Sequence, residues 1–248
     1  MKEIKVDIII PCFNSDKWIK ESIMSALNQT YLKAQVTFVD NESTDNSLKV
    51  AKSLQKDHPQ LRVFEAPNLY EYSWEEPVSE ALKHCDGQYF IILAADDVLH
   101  ENYVSNVINV IDKSNGKIKI MQSALMGFSQ TLDKPTGIIS HSYKTIDEFK
   151  KKLFEKCPVT TPTLVYARSL YDQGYIQWDS KTYKGSGDYN CYFNLADKNI
   201  FIYPFPKWLG YYYRWHMEQS TWGMHKNFSN LDLKIKEYWK GVWSEKGS

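Results

Sequence analysis

Asp96 and Asp97 are adjacent carboxylates inside "FIILAADDVLH", a stretch from Phe90 to His100 that begins as an apolar run. Burying Ile91, Ile92 and Leu93 needs no cause beyond the hydrophobic effect. Two like charges at the exit of a buried element repel each other and lose hydration, unless a cation or a ligand carrying one lies between them. Hard cations such as Mg2+ and Mn2+ take oxygen ligands, often one or two carboxylates completed by phosphate oxygens and water. The pair reads as a metal site, or else as the acidic first turn of the next helix, where exposed amides favour negative charge. Asp188, in the first turn of the helical stretch "SGDYNCYFNLADK", has the chemistry of a general base, with capping as the simpler alternative. His216, after "YYYR", suits a metal, a phosphate or a half-buried structural role.

The elements that must position these residues follow from periodicity. "VDIIIP" is continuously apolar, the pattern of a strand covered on both faces. "SDKWIKESIMSALNQ" puts Trp18, Ile19, Ile23, Ala26 and Leu27 on one helical face, with Ser15 as its N-cap. Strands are predicted at "AQVTFVD", "LRVFEAP", "GQYFIILAA" and "KIKIMQSALMGF", and helices through about Lys56, at "EEPVSEALKHC" and at "ENYVSNVINVIDKS". Such alternation predicts an α/β fold with a doubly wound, mostly parallel sheet flanked by helices. Ligands of these sheets bind beyond the carboxyl ends of the strands. The loop after Pro11, the loop after Asp40 and the Asp96–Asp97 pair all fall there, which predicts a cleft for an anionic, metal-bound ligand.

Beyond about residue 130 the pattern loosens. "TIDEFKKKLFEK" is an amphipathic helix, "TPTLVYARSLYDQG" a strand turning into a short helix, and "NIFIYPFPKWLGYYYRWH" one or two strands broken by prolines. In the tail "LDLKIKEYWKGVW", Trp239 and Trp243 either pack on the domain or rest at a membrane interface; packing is preferred.

The 248 residues suit one domain, and 43% apolar content is enough for a full core. Lys plus Arg equals Asp plus Glu at 30 each, so net charge offers no argument for nucleic acid or an anionic membrane as the main partner, and no nucleic-acid partner is expected. The four cysteines have no C-x-x-C spacing, so neither a zinc site nor a disulfide framework is implied. The short apolar start reads as a first strand, not a signal segment, which predicts a cytoplasmic location. P-loop, dinucleotide-fingerprint, nucleophile-elbow and H-E-x-x-H motifs are absent.

Together, "VDIIIPCFNSDKWIKESIMSALNQTY", "VTFVDNESTDNSLKVAK" and "GQYFIILAADD" resemble the family 2 inverting glycosyltransferases of the GT-A fold, a Rossmann-like architecture with a C-terminal acceptor-side extension. The resemblance covers residues 5–105, with weaker matches at "GDYNCYFNLA" and "YRWHMEQST". It implies that residues 1–105 bind a nucleotide sugar, UDP-linked by preference, and that about 130–248 bind a glycan or lipid-linked saccharide acceptor, with the tail as a point of peripheral membrane contact. Pro11, Phe13, Asn14, Asp40 and Asn41 would line the base and ribose pocket. Ala95 and Asp96 would meet the ribose or diphosphate. Asp96, Asp97 and His216 would hold Mn2+ or Mg2+, Asp188 would be the catalytic base, and Arg214 would neutralise the leaving group.

Four positions depart from the family pattern. Ala94 replaces an Asp of the DxD-type stretch, Asn41 the second Asp of the "VDD" loop, Gly187 the Glu before the base, and Glu42 a common Gly. Ala94 and Gly187 motivate a rival reading, a sugar-nucleotide or glycan-binding member without turnover. A sugar nucleotidyltransferase is a second rival, but "PCFNSDKW" lacks the Gly-rich basic loop that such enzymes usually show.

Overall fold

The computed structural model describes residues 4–69, 74–219, 222 and 230–246. Its first strand, β1 (Val6–Cys12), is covered on both faces, as its unbroken apolar run requires. Around it run β2 (Ala34–Asp40), β3 (Arg62–Glu65) and β4 (Tyr89–Ile92), all parallel. Helices α1 (Ile19–Leu27), α2 (Ser47–Asp57) and α3 (Glu75–His84) connect them, and each packs on these strands. Apolar side chains at i, i+3 or i+4 drive this: Ile19, Ile23 and Ala26 of α1, and Val78, Ala81 and Leu82 of α3, are buried.

The helical stretch after β1 starts later than its sequence predicts. Ser15 is not a side-chain cap; its carbonyl receives the amides of Trp18 and Ile19, while its hydroxyl turns back to the Phe13 carbonyl at 3.2 Å. Trp18 therefore stands at the helix entrance instead of on its core face.

The sheet continues through β5 (Val98–Leu99), β6 (Ile120–Ser129), β7 (Pro135–Ile139), β8 (Val165–Ala167) and β9 (Ile202–Trp215). Its order is β3-β2-β1-β4-β8-β6-β9-β5, with β7 paired to β6. Strand β8 runs antiparallel between β4 and β6, and β9 runs parallel to β6. The predicted doubly wound, mostly parallel sheet is thus observed, with antiparallel insertions at β5, β7 and β8. Strands β5 and β7 escaped the periodicity because one has two residues and the other is exposed throughout.

Strand β9 is one strand, not two. Opposite Ser123 and Ala124 of β6 it pairs through Phe205 and Leu209, so Pro206, Lys207 and Trp208 bulge out of register. A proline has no N–H for the ladder, and the bulge accommodates it. Beyond the bulge, Tyr211 to Trp215 run past the end of β4, which brings them over the Asp96–Asp97 turn.

Helix α4 (Tyr103–Lys113) follows β5, and α5 (Ile146–Glu155) is capped by Thr145, whose side chain accepts the Glu148 amide. Helices α6 (Arg168–Asp172), α7 (Ser180–Tyr183) and α8 (Gly187–Asp197) lead to Asp188. The C-terminal helix Leu231–Lys246 lies against α8. There the indole of Trp239 donates to Asn190 Oδ1 at 2.9 Å and that of Trp243 to Asp197 Oδ1 at 3.1 Å, so both tryptophans pack on the protein. The four cysteines are free. Among the described residues no helix is long and apolar enough to cross a membrane.

Candidate active site

The loops after β1 and β2 are stitched together. Asn14 takes a left-handed backbone (φ 48°), which Asn tolerates better than most residues. Its Oδ1 accepts the Thr44 amide at 2.8 Å and the Asp45 amide at 3.3 Å, and its own amide donates to Ser43 Oγ at 3.0 Å. Glu42, where the family commonly has Gly, keeps a left-handed backbone (φ 60°), and its carboxylate accepts the Asn68 amide at 3.1 Å. Asp40 does not reach the cleft. It is buried behind the loop with Oδ2 accepting the Ser43 amide at 2.9 Å, and Oδ1 has no hydrogen-bond partner among the described residues.

Asp96 and Asp97 occupy a turn that feeds directly into β5, and α4 begins only at Tyr103. The helix-start reading of the pair therefore fails. The two carboxylates have different fates. Asp97 is fully buried, with Oδ2 accepting the Tyr211 hydroxyl and Oδ1 the Arg214 amide, each at 2.8 Å. Burial first, and then the neighbouring Asp96 charge, push its pKa well above the ordinary carboxylate range. Asp96 instead presents Oδ2 toward His216 Nε2 at 2.9 Å.

Arg214 lies outside the cleft, contrary to its expected role at the leaving group. It is 1% exposed; Nε donates to the Asp96 carbonyl at 2.8 Å, one terminal nitrogen to the Gln130 carbonyl at 2.7 Å, and the other to Glu21. The guanidinium is sandwiched between the Trp18 and Phe128 rings, 4.5 Å from each centroid. The His216 ring also rests on Trp18, at 5.4 Å, and its Nδ1 is buried with no hydrogen-bond partner among the described residues.

Among the described residues no three His, Cys, Asp or Glu side chains converge as a metal-holding group. The residues nonetheless fit a hard cation that keeps water and phosphate oxygens. Asp96 Oδ2 and His216 Nε2 stand 2.9 Å apart in the cleft, a carboxylate and an imidazole of the kinds that Mn2+ accepts beside phosphate and water. Each oxygen of Asp97 already accepts one hydrogen bond, from the Tyr211 hydroxyl and the Arg214 amide, and keeps a further lone pair.

Asp188 stands in the first turn of α8. Its Oδ2 accepts the Thr161 hydroxyl at 2.8 Å, which in turn accepts the Tyr192 hydroxyl at 2.9 Å; its Oδ1 accepts the Tyr189 amide at 2.7 Å. Burial raises its pKa, partly offset by the Thr161 hydroxyl. Gly187 is required by packing. A Cβ there would lie 2.3 Å from the Trp178 carbonyl oxygen, so the family's Glu does not fit this backbone.

These groups meet in one cleft of about 1160 Å3, spacious for a drug-sized ligand. Its wall includes Pro11, Phe13, Asn14, Asn41, Ala95, Asp96, Asp97, His216 and Asp188, nine of the eleven residues expected from sequence. The backbone of Arg214 and the side chain of Asp40 support it from behind. Trp18, Thr161 and Tyr211 were missed: Trp18 reads as helix core, and no local pattern marks the other two.

An α/β sheet thus carries, at its carboxyl edge, a large cleft with a carboxylate–histidine pair and a separate half-buried carboxylate. The Glycosyl transferase family 2 pattern matches residues 7–174, well beyond the stretch whose motifs carry the resemblance, and the chain belongs to that family. It is 26% identical over 200 residues to an uncharacterized glycosyltransferase of Haemophilus influenzae, covering 77% of this chain and 60% of that one. The fold is that of the GT-A glycosyltransferases. S. aureus TarS 1–349 in complex with UDP-GlcNAc superposes with a TM-score of 0.67 at 18% identity, covering 87% of this chain and 60% of that one. The mannosyltransferase PcManGT of Pyrobaculum calidifontis, in complex with GDP-Man and Mn2+, gives 0.63 at 17% identity, covering 91% and 61%. The chain thus spans about three-fifths of the chains it matches here, and 37% of the longer S. aureus TarS chain.

Proposed function

We propose that the protein is an inverting glycosyltransferase that moves a sugar from a nucleotide-diphosphate sugar, UDP-linked by preference, to a hydroxyl of a glycan or lipid-linked saccharide. The observation that carries this reading is the presence, in one cleft, of the Asp96–His216 pair and the isolated Asp188 carboxylate. Residues 1–105 hold the donor and about 130–248 the acceptor, within one domain. Phe13, Asn14 and Asn41 border the base and ribose end, where the Asn41 carbonyl is a suitable acceptor for uracil N3–H. Bound complexes of the fold neighbours, one with UDP-GlcNAc and one with GDP-Man and Mn2+, support a nucleotide sugar and a divalent cation here.

Asp96 and His216 would hold a Mn2+ or Mg2+ ion, which when bound would supply positive charge to the departing diphosphate. Asp188 takes the proton of the acceptor hydroxyl as its oxygen bonds to C1 of the sugar and the bond from C1 to the diphosphate breaks. Attack from the face opposite the leaving group inverts the anomeric centre. Thr161 fixes the Asp188 carboxylate, and the Arg214 clamp fixes the Asp96 turn, so both reach substrate in a set geometry. Peripheral membrane contact for a lipid-linked acceptor falls to the exposed Leu233 and Tyr238 of the C-terminal helix.

Calorimetric titration with UDP, GDP, dTDP and CMP, with Mn2+ or with chelator, tests the reading. Metal-dependent binding of UDP, lost in Asp96→Ala, is expected. If none of the four binds wild-type protein, the donor-site assignment is wrong. If UDP binds but no acceptor is ever glycosylated and Asp188→Asn changes nothing, the non-catalytic reading replaces it.

A further inference from the structure

A second cavity of about 480 Å3 shares Thr161, Pro162, Gly185, Asp188 and Tyr213 with the main cleft, so Asp188 faces both spaces. Nothing in the donor chemistry uses it. One part of its wall is apolar, with Leu125, Ile139, Val159 and Trp215. The rest is polar and underused. Thr160 lines that wall, is 3% exposed, and its hydroxyl has no hydrogen-bond partner among the described residues. Asp232, from the C-terminal helix, is held by the Ser186 hydroxyl at 2.7 Å, which leaves its other oxygen outside that bond.

The charges of the lining decide what fits. Burial, with Lys156 and then Lys152 nearby, lowers the pKa of His141, so this imidazole is neutral at neutral pH. That leaves the carboxylates Asp188 and Asp232 against the single ammonium of Lys156 among the lining residues. A phosphate or uronate brought into this half-enclosed space meets two like charges and one opposite. A sugar hydroxyl both donates and accepts, which matches carboxylate and neutral imidazole together. The Trp215 indole, edge-on to Tyr213 at 4.8 Å, offers the apolar surface that the C–H face of a pyranose covers.

Resting on the transferase reading, we propose that this second cavity holds the terminal ring of an uncharged pyranoside acceptor, with Asp232 as a specificity-determining residue that excludes anionic acceptors. The ring lies along Trp215, one hydroxyl reaches Asp188 across the shared wall, and another bonds to Asp232.

The test is saturation-transfer NMR on the full chain with Mn2+ and UDP present, using methyl β-glucopyranoside, methyl β-glucuronide and ribitol 5-phosphate as probes. UDP affinity is measured by calorimetry on the same samples. Wild-type protein is expected to bind the neutral glycoside in preference to both anions. Trp215→Leu weakens that binding by about fivefold or more, and Asp232→Lys, a change at an exposed helix position, shifts preference toward the anionic probes by about tenfold. Equal or tighter binding of either anion to the wild type, or no response to Asp232→Lys, overturns the proposal. UDP binding without any glycoside binding overturns the acceptor subsite alone and leaves the donor site standing. Absence of UDP binding removes the transferase reading and this proposal with it.

Discussion

The backbone N–H of Arg214 lies 2.8 Å from Oδ1 of Asp97, joining the outer half of β9 to the turn after β4. The same residue reaches the Asp96 carbonyl through its guanidinium, at 2.8 Å. Two adjacent carboxylates are thereby separated in role. Asp97 and Arg214 form the buried support, while Asp96 is free to face His216 and the cleft.

This separation predicts opposite phenotypes for the two aspartates. Asp97→Ala leaves the Arg214 amide and the Tyr211 hydroxyl without their acceptor and is expected to cost about 2–4 kcal/mol of stability. Asp96→Ala, at a partly exposed position, is expected to stay within about 1 kcal/mol of wild type while losing metal-dependent nucleotide binding. Urea unfolding monitored by fluorescence, beside calorimetry with UDP and Mn2+, separates them. Equal destabilisation by both substitutions would contradict the assignment.

Asp188→Asn keeps the shape of the site and removes the proposed base. Transfer is expected to fall by about 10²–10⁴-fold, with UDP affinity changed by less than about threefold. A variant that retains transfer within tenfold of wild type would show that another group accepts the proton.

In the proposed mechanism transfer requires ionised Asp188, and burial raises its pKa, so the acidic limb of the pH–rate profile is expected above the ordinary range near 3.9. The hydroxyl of Thr161 lowers this pKa and the charge of Asp232 raises it. Thr161→Val is therefore expected to move the limb to higher pH, Thr161→Ser to restore it, and Asp232→Asn to move it lower. For stability the sign reverses. A carboxyl with a raised folded-state pKa contributes stability below its unfolded value, and that contribution is lost as pH rises through the folded value. Asp188→Asn is expected to be no less stable than wild type at neutral pH, which thermal unfolding across pH checks.

Gly187→Ala is expected to cost about 1–3 kcal/mol, since its Cβ would meet the Trp178 carbonyl at 2.3 Å and Ser180 N at 3.0 Å. The displacement falls on the residue before Asp188, so kcat should drop beyond what lost stability explains. A variant with wild-type unfolding midpoint and kcat would show that α7 gives way without cost.

The alternation of apolar strands and amphipathic helices made the first hundred residues legible, because burial on two faces or on one stripe leaves a period in the chain. The chemistry of Asp96, Asp188 and His216 was legible from residue type and, more firmly, from the order of motifs that the family shares. Nothing local distinguishes Asp96 from Asp97. Their difference arises only when Tyr211 and Arg214, more than 110 residues later, arrive beside them through the parallel pairing of β6 with β9. Arg214 was expected at the leaving group because the family resemblance implied it; the bulge at Pro206 sets the phase of the outer strand, and that phase turns its side chain into the core. Thr161 and Asp232 carry no motif at all. Residue types and periodicity determine which groups are available and which elements carry them, but long-range packing decides which oxygen faces substrate, which is buried, and which two cavities share the wall at Asp188.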